Sequence, residues 1–318
     1  METKMPGTER EVRVRAPAKV NLILRVLDRR PDGYHNLWSL MQTVGLEDEL
    51  RIRLRPGSSG LSLSCDDASL PTDGRNLIHR AATLVLERAG LQGAQAAGLE
   101  IRITKRIPVS AGLGGGSSDA AATIVGLNRL LGLGWSDREM AAVGQVLGSD
   151  VPFFFFSPSA RVRGRGEDVA ALSVTGARWV VLVHPGFPVQ TRWAYDRLAA
   201  LRKTVRPLSP ALALLIGKSS VRWEDVIPLM ENDFEEALTP EHPVLGAIKC
   251  ELLSAGAEAA LLSGSGATVF GIFRDDAAAM RAMASVERAP GRKAFAVPAG
   301  TRALVCEEEP GPRPVRVG

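Results

Sequence analysis

The sequence predicts a protein of mixed helices and sheets, arranged around one glycine-rich loop. Three observations carry that reading. Val12 to Arg15 and Leu99 to Thr104 alternate apolar and polar residues with the two-residue period of strands. Asn76 to Gly90 places Leu77, Ile78, Ala81, Leu84 and Val85 on one helical stripe, with Gly90 as its stop. Pro108 to Ala122 packs Gly112, Gly114, Gly115 and Gly116 with Ser110, Ser117 and Ser118 directly ahead of an alanine-rich helix.

In chain order, Glu11 to Leu27 reads as a strand, with Val12 and Val14 facing one way and Arg13 and Arg15 the other. Ala16-Pro17-Ala18 is expected to bend or break it, because proline donates nothing to a ladder. Beyond that point alternation puts Lys19, Asn21, Ile23 and Arg25 on one face and Val20, Leu22, Leu24 and Val26 on the other. A turn over Asp28 to Gly33 returns the chain through Tyr34-His35 as a wide hairpin. Glu49 to Arg55 and Gly60 to Ser64 read as further antiparallel strands.

The strand ending at Lys105 feeds the glycine loop, and the helix after the loop runs to about Leu131. Ser136-x-x-Glu139 is a capping box that opens the next helix, ending near Gly148. Arg161 to Glu167 reads as a hairpin with outward arginines, and Trp179 to Val183 as a buried strand of a second half. Helices are expected from about Thr191 to Ser254, a small-residue loop between two strands over Ala259 to Phe273, and a helix over Asp275 to Arg288. Strands at Lys293 to Val297 and Thr301 to Cys306 close the fold. From Glu307 onward, Pro310, Pro312 and Pro314 mark a tail expected to be disordered.

Composition narrows the function classes. The 318 residues are 45% hydrophobic and 23% charged, the balance of a globular protein able to bury a substantial core. No run approaches the length of a membrane span, and the first ten residues are polar, so neither export nor membrane insertion is expected. Cys65, Cys250 and Cys306 are odd in number and far apart, which points to reduced thiols in a cytoplasm rather than disulfides or a zinc cluster. The net charge of +4 comes without an aromatic-interleaved basic run, so small phosphorylated molecules are better partners than nucleic acid.

The glycine loop has the design of an anion site. Glycine lets the backbone approach a ligand closely, and the first turn of the next helix offers unpaired N–H groups. The dinucleotide spacing G-x-G-x-x-G fails at Ser117 or at Asp119, and no Gly-Lys-Ser/Thr closes a Walker loop. The loop therefore binds phosphate by a third scheme or is a tight connection only. Gly148-Ser-Asp-Val-Pro-Phe sets Asp150 ahead of an apolar run, either as a helix cap or as a carboxylate at the floor of a site. Taken singly, Lys19 is a strand-end cation and Tyr34-His35 an edge decoration.

Together these pieces resemble one family. Pro17-Ala-Lys-Val-Asn-Leu22, Pro108 to Ala122 and Leu262-Ser-Gly-Ser-Gly-Ala-Thr268 are similar to the three signatures of the GHMP small-molecule kinases, in order and spacing, and the resemblance spans residues 11 to 306. Asp32-Gly-Tyr-His35, the long form of the glycine loop and Gly148 to Phe154 resemble the branch that phosphorylates the 2-hydroxyl of 4-diphosphocytidyl-2-C-methyl-D-erythritol, on the non-mevalonate route to isoprenoid precursors. Mevalonate-pathway and homoserine kinases, or a non-catalytic nucleotide-binding regulator, are the alternatives on the same fold.

The resemblance implies an α+β pair of domains with the site between them. Residues 11–160 would form a domain like the second domain of ribosomal protein S5, and residues 161–306 the C-terminal domain. It implies that Gly112, Leu113, Gly114, Gly115, Gly116, Ser117 and Ser118 wrap the phosphates of ATP, with Asn76 and Lys105 near the nucleoside. Lys19 and Asp150 would be catalytic, and Asn21, Tyr34, His35 and Tyr195 would hold the cytidine-diphosphate-linked acceptor, Tyr34 stacking on cytosine. Mg²⁺ is implied beside ATP, and Asp119 either touches it or caps the helix. The resemblance assigns no role to Arg161 to Arg165, and the protein is expected to be a monomer or a homodimer.

Overall fold

The computed structural model describes residues 10–309, apart from 32, 56–57, 92–97, 157, 203, 205 and 302–303. Asp32 of the quoted motif and the tail beyond residue 309 lie outside the described residues. The first part of the chain forms β1 (Arg10–Arg29), β2 (His35–Arg55), β3 (Leu61–Cys65), α1 (Leu77–Arg88), β4 (Gly98–Thr104), α2 (Gly115–Leu131), α3 (Asp137–Gln145), α4 (Phe153–Phe156), β5 (Ser159–Gly164) and β6 (Asp168–Ala171). Then come β7 (Ser173–Thr175), β8 (Trp179–His184), α5 (Thr191–Leu201), α6 (Pro210–Ala213), β9 (Ser220–Arg222), α7 (Trp223–Val226), β10 (Glu231–Asn232), α8 (Glu235–Leu238) and α9 (Pro243–Ser254). β11 (Ala259–Leu262), β12 (Val269–Phe273), α10 (Asp276–Val286), β13 (Lys293–Pro298) and β14 (Val305–Glu309) complete the order.

The larger sheet runs β10-β1-β2-β4-β3, with β14 also on β1, β5 on β2 and β6 on β5. Its Val12, Val14, Ile52 and Ile101 side chains are fully buried in one cluster with Ile124 and Leu127 of α2 and Ala81 and Val85 of α1. Arg13 and Arg53 face the other way and pair across strands with Glu49 and Glu11. The smaller sheet, β11-β12-β8-β13, is antiparallel throughout and centres on Val180 to Val183. α9 and α10 pack on it through Ile248, Leu252, Ala279 and Ala282.

Several expectations change. Pro17 neither breaks the strand nor ends it: β1 continues for 20 residues and absorbs the proline as a register shift against β2. A second shift between Asn21 and Ile23 inverts the alternation. Ile23 therefore joins Ala18, Val20 and Leu22 in one apolar cluster, and Leu24 takes its place beside Lys19 and Asn21. β3 pairs parallel, not antiparallel, with β4. The last strand begins at Val305 rather than Thr301 and returns to the first sheet, so Glu307 to Glu309, expected in a disordered tail, are paired with Arg13 to Glu11. The expected division at residues 160/161 falls inside β5.

Candidate active site

β1 supplies the first wall. Lys19 is 3% exposed and its ammonium donates to Asn21 Oδ1 at 2.7 Å. Asn21 Nδ2 donates to Ser39 Oγ at 2.8 Å, and that hydroxyl donates to the Ile23 carbonyl at 2.7 Å. This relay fixes the lysine without neutralising it. A second direction of the ammonium is toward Asp150, whose Oδ2 lies 3.4 Å away. Asp150 occupies a turn before α4, and its side chain is 33% exposed. It is thus an ion-pair partner of Lys19 facing a cavity, and the helix-cap alternative is set aside.

The glycine loop supplies the second wall. Gly112 and Gly114 hold φ of +77° and +70°, a left-handed conformation that suits glycine. They are also fitted closely. A Cβ on Gly112 would lie 2.1 Å from the Ser263 carbonyl oxygen, and one on Gly114 would lie 2.9 Å from Lys19 Cγ. The Lys19 N–H donates to the Leu113 carbonyl at 2.9 Å, so strand and loop are joined directly. Gly114 is the N-cap of α2 and brings no capping side chain. The first N–H groups of a 17-residue helix are left for a ligand, with the positive end of its dipole behind them.

The loop between β11 and β12 closes onto this wall from the second sheet. Ser263 Oγ donates to the Gly112 carbonyl at 3.0 Å, and the Thr268 N–H donates to the Ala111 carbonyl at 3.1 Å. Asn232, from β10, holds that loop by donating to the Leu262 and Gly264 carbonyls at 2.7 and 2.8 Å. Across the cavity, Thr191 and Ser265 hydroxyls meet at 3.0 Å.

All the sequence-predicted site residues except Tyr34, His35 and Ser118 line one cavity of about 530 Å³. Ser118 is fully buried in the first turn of α2, and His35 joins the cavity through Tyr195, its ring stacked on the phenol ring at 5.1 Å. Tyr195 is held edge-on by Phe234, and burial, then the charge of Asp150, push its phenol pKa up. Tyr34 is 54% exposed, and the Arg165 guanidinium lies 3.8 Å from its ring centre. Tyr34 and Tyr195 therefore contact different partners. Burial, then Arg29, hold the His35 pKa below its ordinary value, against Asp196 and Asp28.

Asn76 caps α1, accepting from Ile78 N at 2.9 Å and donating to the Pro71 carbonyl at 2.7 Å, so its amide already has a structural task at the cavity edge. The Lys105 ammonium is held between Asp48 and Asp119, the latter at 2.7 Å. Asp119 caps no helix: it sits inside α2, and burial pushes its pKa up, with Lys105 opposing. Its Oδ1 and the Ser118 hydroxyl are buried without partners among the described residues. The arginine-rich segment of Arg165 was noticed but given no role, and Asp48, Ser39, Asn232 and Thr191 were not legible as site residues. Each of the latter acts across the fold, and none stands in a local motif.

Residues 76–158 match the GHMP kinases N terminal domain, and residues 205–293 match GHMP kinases C terminal. The chain belongs to the GHMP kinase family. Two GHMP kinase relatives carry the name 4-diphosphocytidyl-2-C-methyl-D-erythritol kinase. The one from Geobacter sulfurreducens is 42% identical over 86% of this chain and 94% of its own, and the one from Pelobacter propionicus is 43% identical over 87% and 95%. A crystal structure of 4-(cytidine 5'-diphospho)-2C-methyl-D-erythritol kinase superposes with a TM-score of 0.73 at 35% identity, covering 92% of this chain and 99% of that one. A homoserine kinase from Cytophaga hutchinsonii gives a TM-score of 0.72 at 23% identity, covering 93% and 97%, a likeness of fold alone. The GHMP kinase fold is a two-domain arrangement of mixed helices and sheets, and the cavity lies where the two sheets' loops meet.

Proposed function

We propose that this GHMP kinase transfers the γ-phosphoryl group of ATP to the 2-hydroxyl of 4-diphosphocytidyl-2-C-methyl-D-erythritol. The observation that carries the chemistry is the Lys19–Asp150 pair, 3.4 Å apart in the same cavity as the uncapped start of α2. Relatives of that name at 42–43% identity support the acceptor.

Phosphoryl transfer depends on alignment and on charge stabilisation, because its transition state is loose and spreads charge over the phosphoryl oxygens. The backbone N–H groups of Gly115 to Ser117 and the α2 dipole supply fixed positive potential to the phosphates. Asp150 takes the proton of the acceptor hydroxyl. Lys19, anchored by Asn21 and the Leu113 carbonyl, holds its ammonium against the oxygen as negative charge develops there.

The acceptor's base is read at the other end. Tyr34, half exposed with Arg165 stacked over its ring, offers aromatic surface to the base, and a neutral His35 offers one donor and one acceptor nitrogen to the edge of an uncharged pyrimidine. Tyr195 keeps the imidazole in place by stacking.

The donor set near the phosphates suits a hard divalent ion. Ser117 and Asp119 line the cavity, and the buried Oδ1 of Asp119 has no partner among the described residues. These residues would hold Mg²⁺ together with phosphate oxygens and water. Bound there, the ion supplies neutralisation of phosphate charge. A cytoplasmic setting fits the three free thiols.

The deciding assay measures ADP release with the cytidylated methylerythritol, mevalonate and homoserine as acceptors. Turnover is expected with the first. Turnover only with one of the others reassigns the acceptor, and no ADP release with any of them removes the kinase reading.

A further inference from the structure

Where β4 leads into the glycine loop, three ionisable side chains from three elements meet out of water. Asp48 comes from β2, Lys105 follows β4, and Asp119 belongs to α2. Asp48 is 0% exposed. Its Oδ1 accepts the backbone N–H groups of Arg106 at 2.6 Å and Ile107 at 2.9 Å. Its Oδ2 accepts the Lys105 ammonium, which reaches on to Asp119 Oδ2 at 2.7 Å.

A buried ionic cluster is weak evidence for stability, since desolvation of its charges offsets much of their attraction. What this one does is order a particular piece of backbone. Residues 105 to 107 are the entry to the loop, and all three are held by Asp48. They in turn seat the helix: a Cβ on Gly115, the first residue of α2, would lie 3.0 Å from Ile107 Cγ2 and 3.5 Å from Lys105 Nζ. Asp119 ties α2 to the same ammonium.

We propose that Asp48 is a positioning residue for the nucleotide phosphates. It touches no substrate. Through Lys105, Arg106 and Ile107 it sets the distance between the entry to the glycine loop and the N-terminus of α2, which together form the phosphate cradle. The inference rests on the kinase reading of that cradle and adds to it the residue that sets its width.

Asp48→Asn tests the inference, because it keeps the shape and an acceptor for the two N–H groups while giving up the carboxylate's hold on Lys105. The KM for ATP is expected to rise by about tenfold or more, a misplacement effect, while the acceptor KM stays at its wild-type value. Binding of a non-hydrolysable ATP analogue, followed by calorimetry, weakens in parallel. A folded variant with an unchanged ATP KM, or with both KM values raised alike, overturns the proposal.

Hydrogen exchange on the wild-type protein gives a reading that needs no variant. The Arg106 and Ile107 amides are expected to be as protected as the amides of β2, and exchange at the rate of an open loop overturns the proposal equally. Failure of the kinase reading shows itself separately, as wild-type protein with no ADP release. Analogue binding and exchange then still report on Asp48.

Discussion

The Asp150 carboxylate lies 3.4 Å from the Lys19 ammonium, and the same ammonium is bonded to Asn21 at 2.7 Å. A cation held from behind by a neutral amide keeps its full charge for the group in front of it. That arrangement assigns the two side chains different duties: Lys19 is immobile and Asp150, a third exposed, meets the incoming hydroxyl.

Asp150→Asn removes the proton acceptor and leaves the phosphate cradle untouched. Turnover is expected to fall by roughly 10² to 10⁴, the range of general-base assistance, with nucleotide-analogue affinity close to wild type. Single-turnover kinetics beside calorimetry separate the two quantities. Near-normal turnover takes Asp150 out of the role.

Gly112→Ala attacks the junction of the two loops. The added methyl would stand 2.1 Å from the Ser263 carbonyl oxygen, a backbone atom, and φ of +77° disfavours it further. The variant is expected to lose about 1–3 kcal/mol of stability and to bind ATP more weakly. Denaturant unfolding and an ATP titration check both, and an alanine tolerated without either effect contradicts the observed docking.

Asn232→Asp changes one atom in a side chain that is 6% exposed. Its Nδ2 donates to the Leu262 and Gly264 carbonyls. A carboxylate oxygen there would face two carbonyl oxygens, leaving acceptors unsatisfied at a cost of about 1–3 kcal/mol. The loop over residues 263–268 should loosen, read as faster amide exchange at Ser263 and Thr268 and a lower Tm.

The depressed pKa of His35 gives a pH dependence with a definite sign. Just below about 6.5, the ordinary imidazole value, the unfolded chain binds a proton at this position and the folded chain does not. The contribution of His35 to stability is therefore constant at higher pH and falls as pH drops below that value. Urea unfolding of wild type and His35→Gln between pH 8 and 5 should show wild type losing ground in acid, and parallel curves would contradict it. The acceptor KM, which follows His35 in the folded protein, is expected to stay level through that region and to rise only at lower pH.

Local chemistry was the legible part of this fold. The capping box at Ser136 and Glu139, the stripe of α1 and the strand-loop-helix around Gly112 to Ser118 each need only residues within a few positions of one another. Lys19, Asn21 and Asp150 were legible as a set by resemblance, and the fold brings them within contact distance. What could not be read depends on pairing between distant strands. The inverted face after Asn21 follows from a register shift against β2, and the parallel pairing of β3 follows from a crossover through α1. Asp48 shows the same limit at the site. In the sequence it is one acid among Glu47, Asp48 and Glu49, and only the fold buries it against residues 105 to 107.

The pairing of β14 with β1 bears on how the chain reaches this state. Arg15 and Glu307 form an ion pair across 292 positions of sequence, and Val14 lies opposite Cys306. On the ribosome the first strand must therefore wait for almost the whole chain to emerge before that edge is filled. Contacts of such range slow folding, because the loop they close is ordered before they repay its entropy. In the interval, the backbone edge of residues 11–15 is a template for another extended segment, and nascent chains shortened before Val305 are the ones expected to need a chaperone.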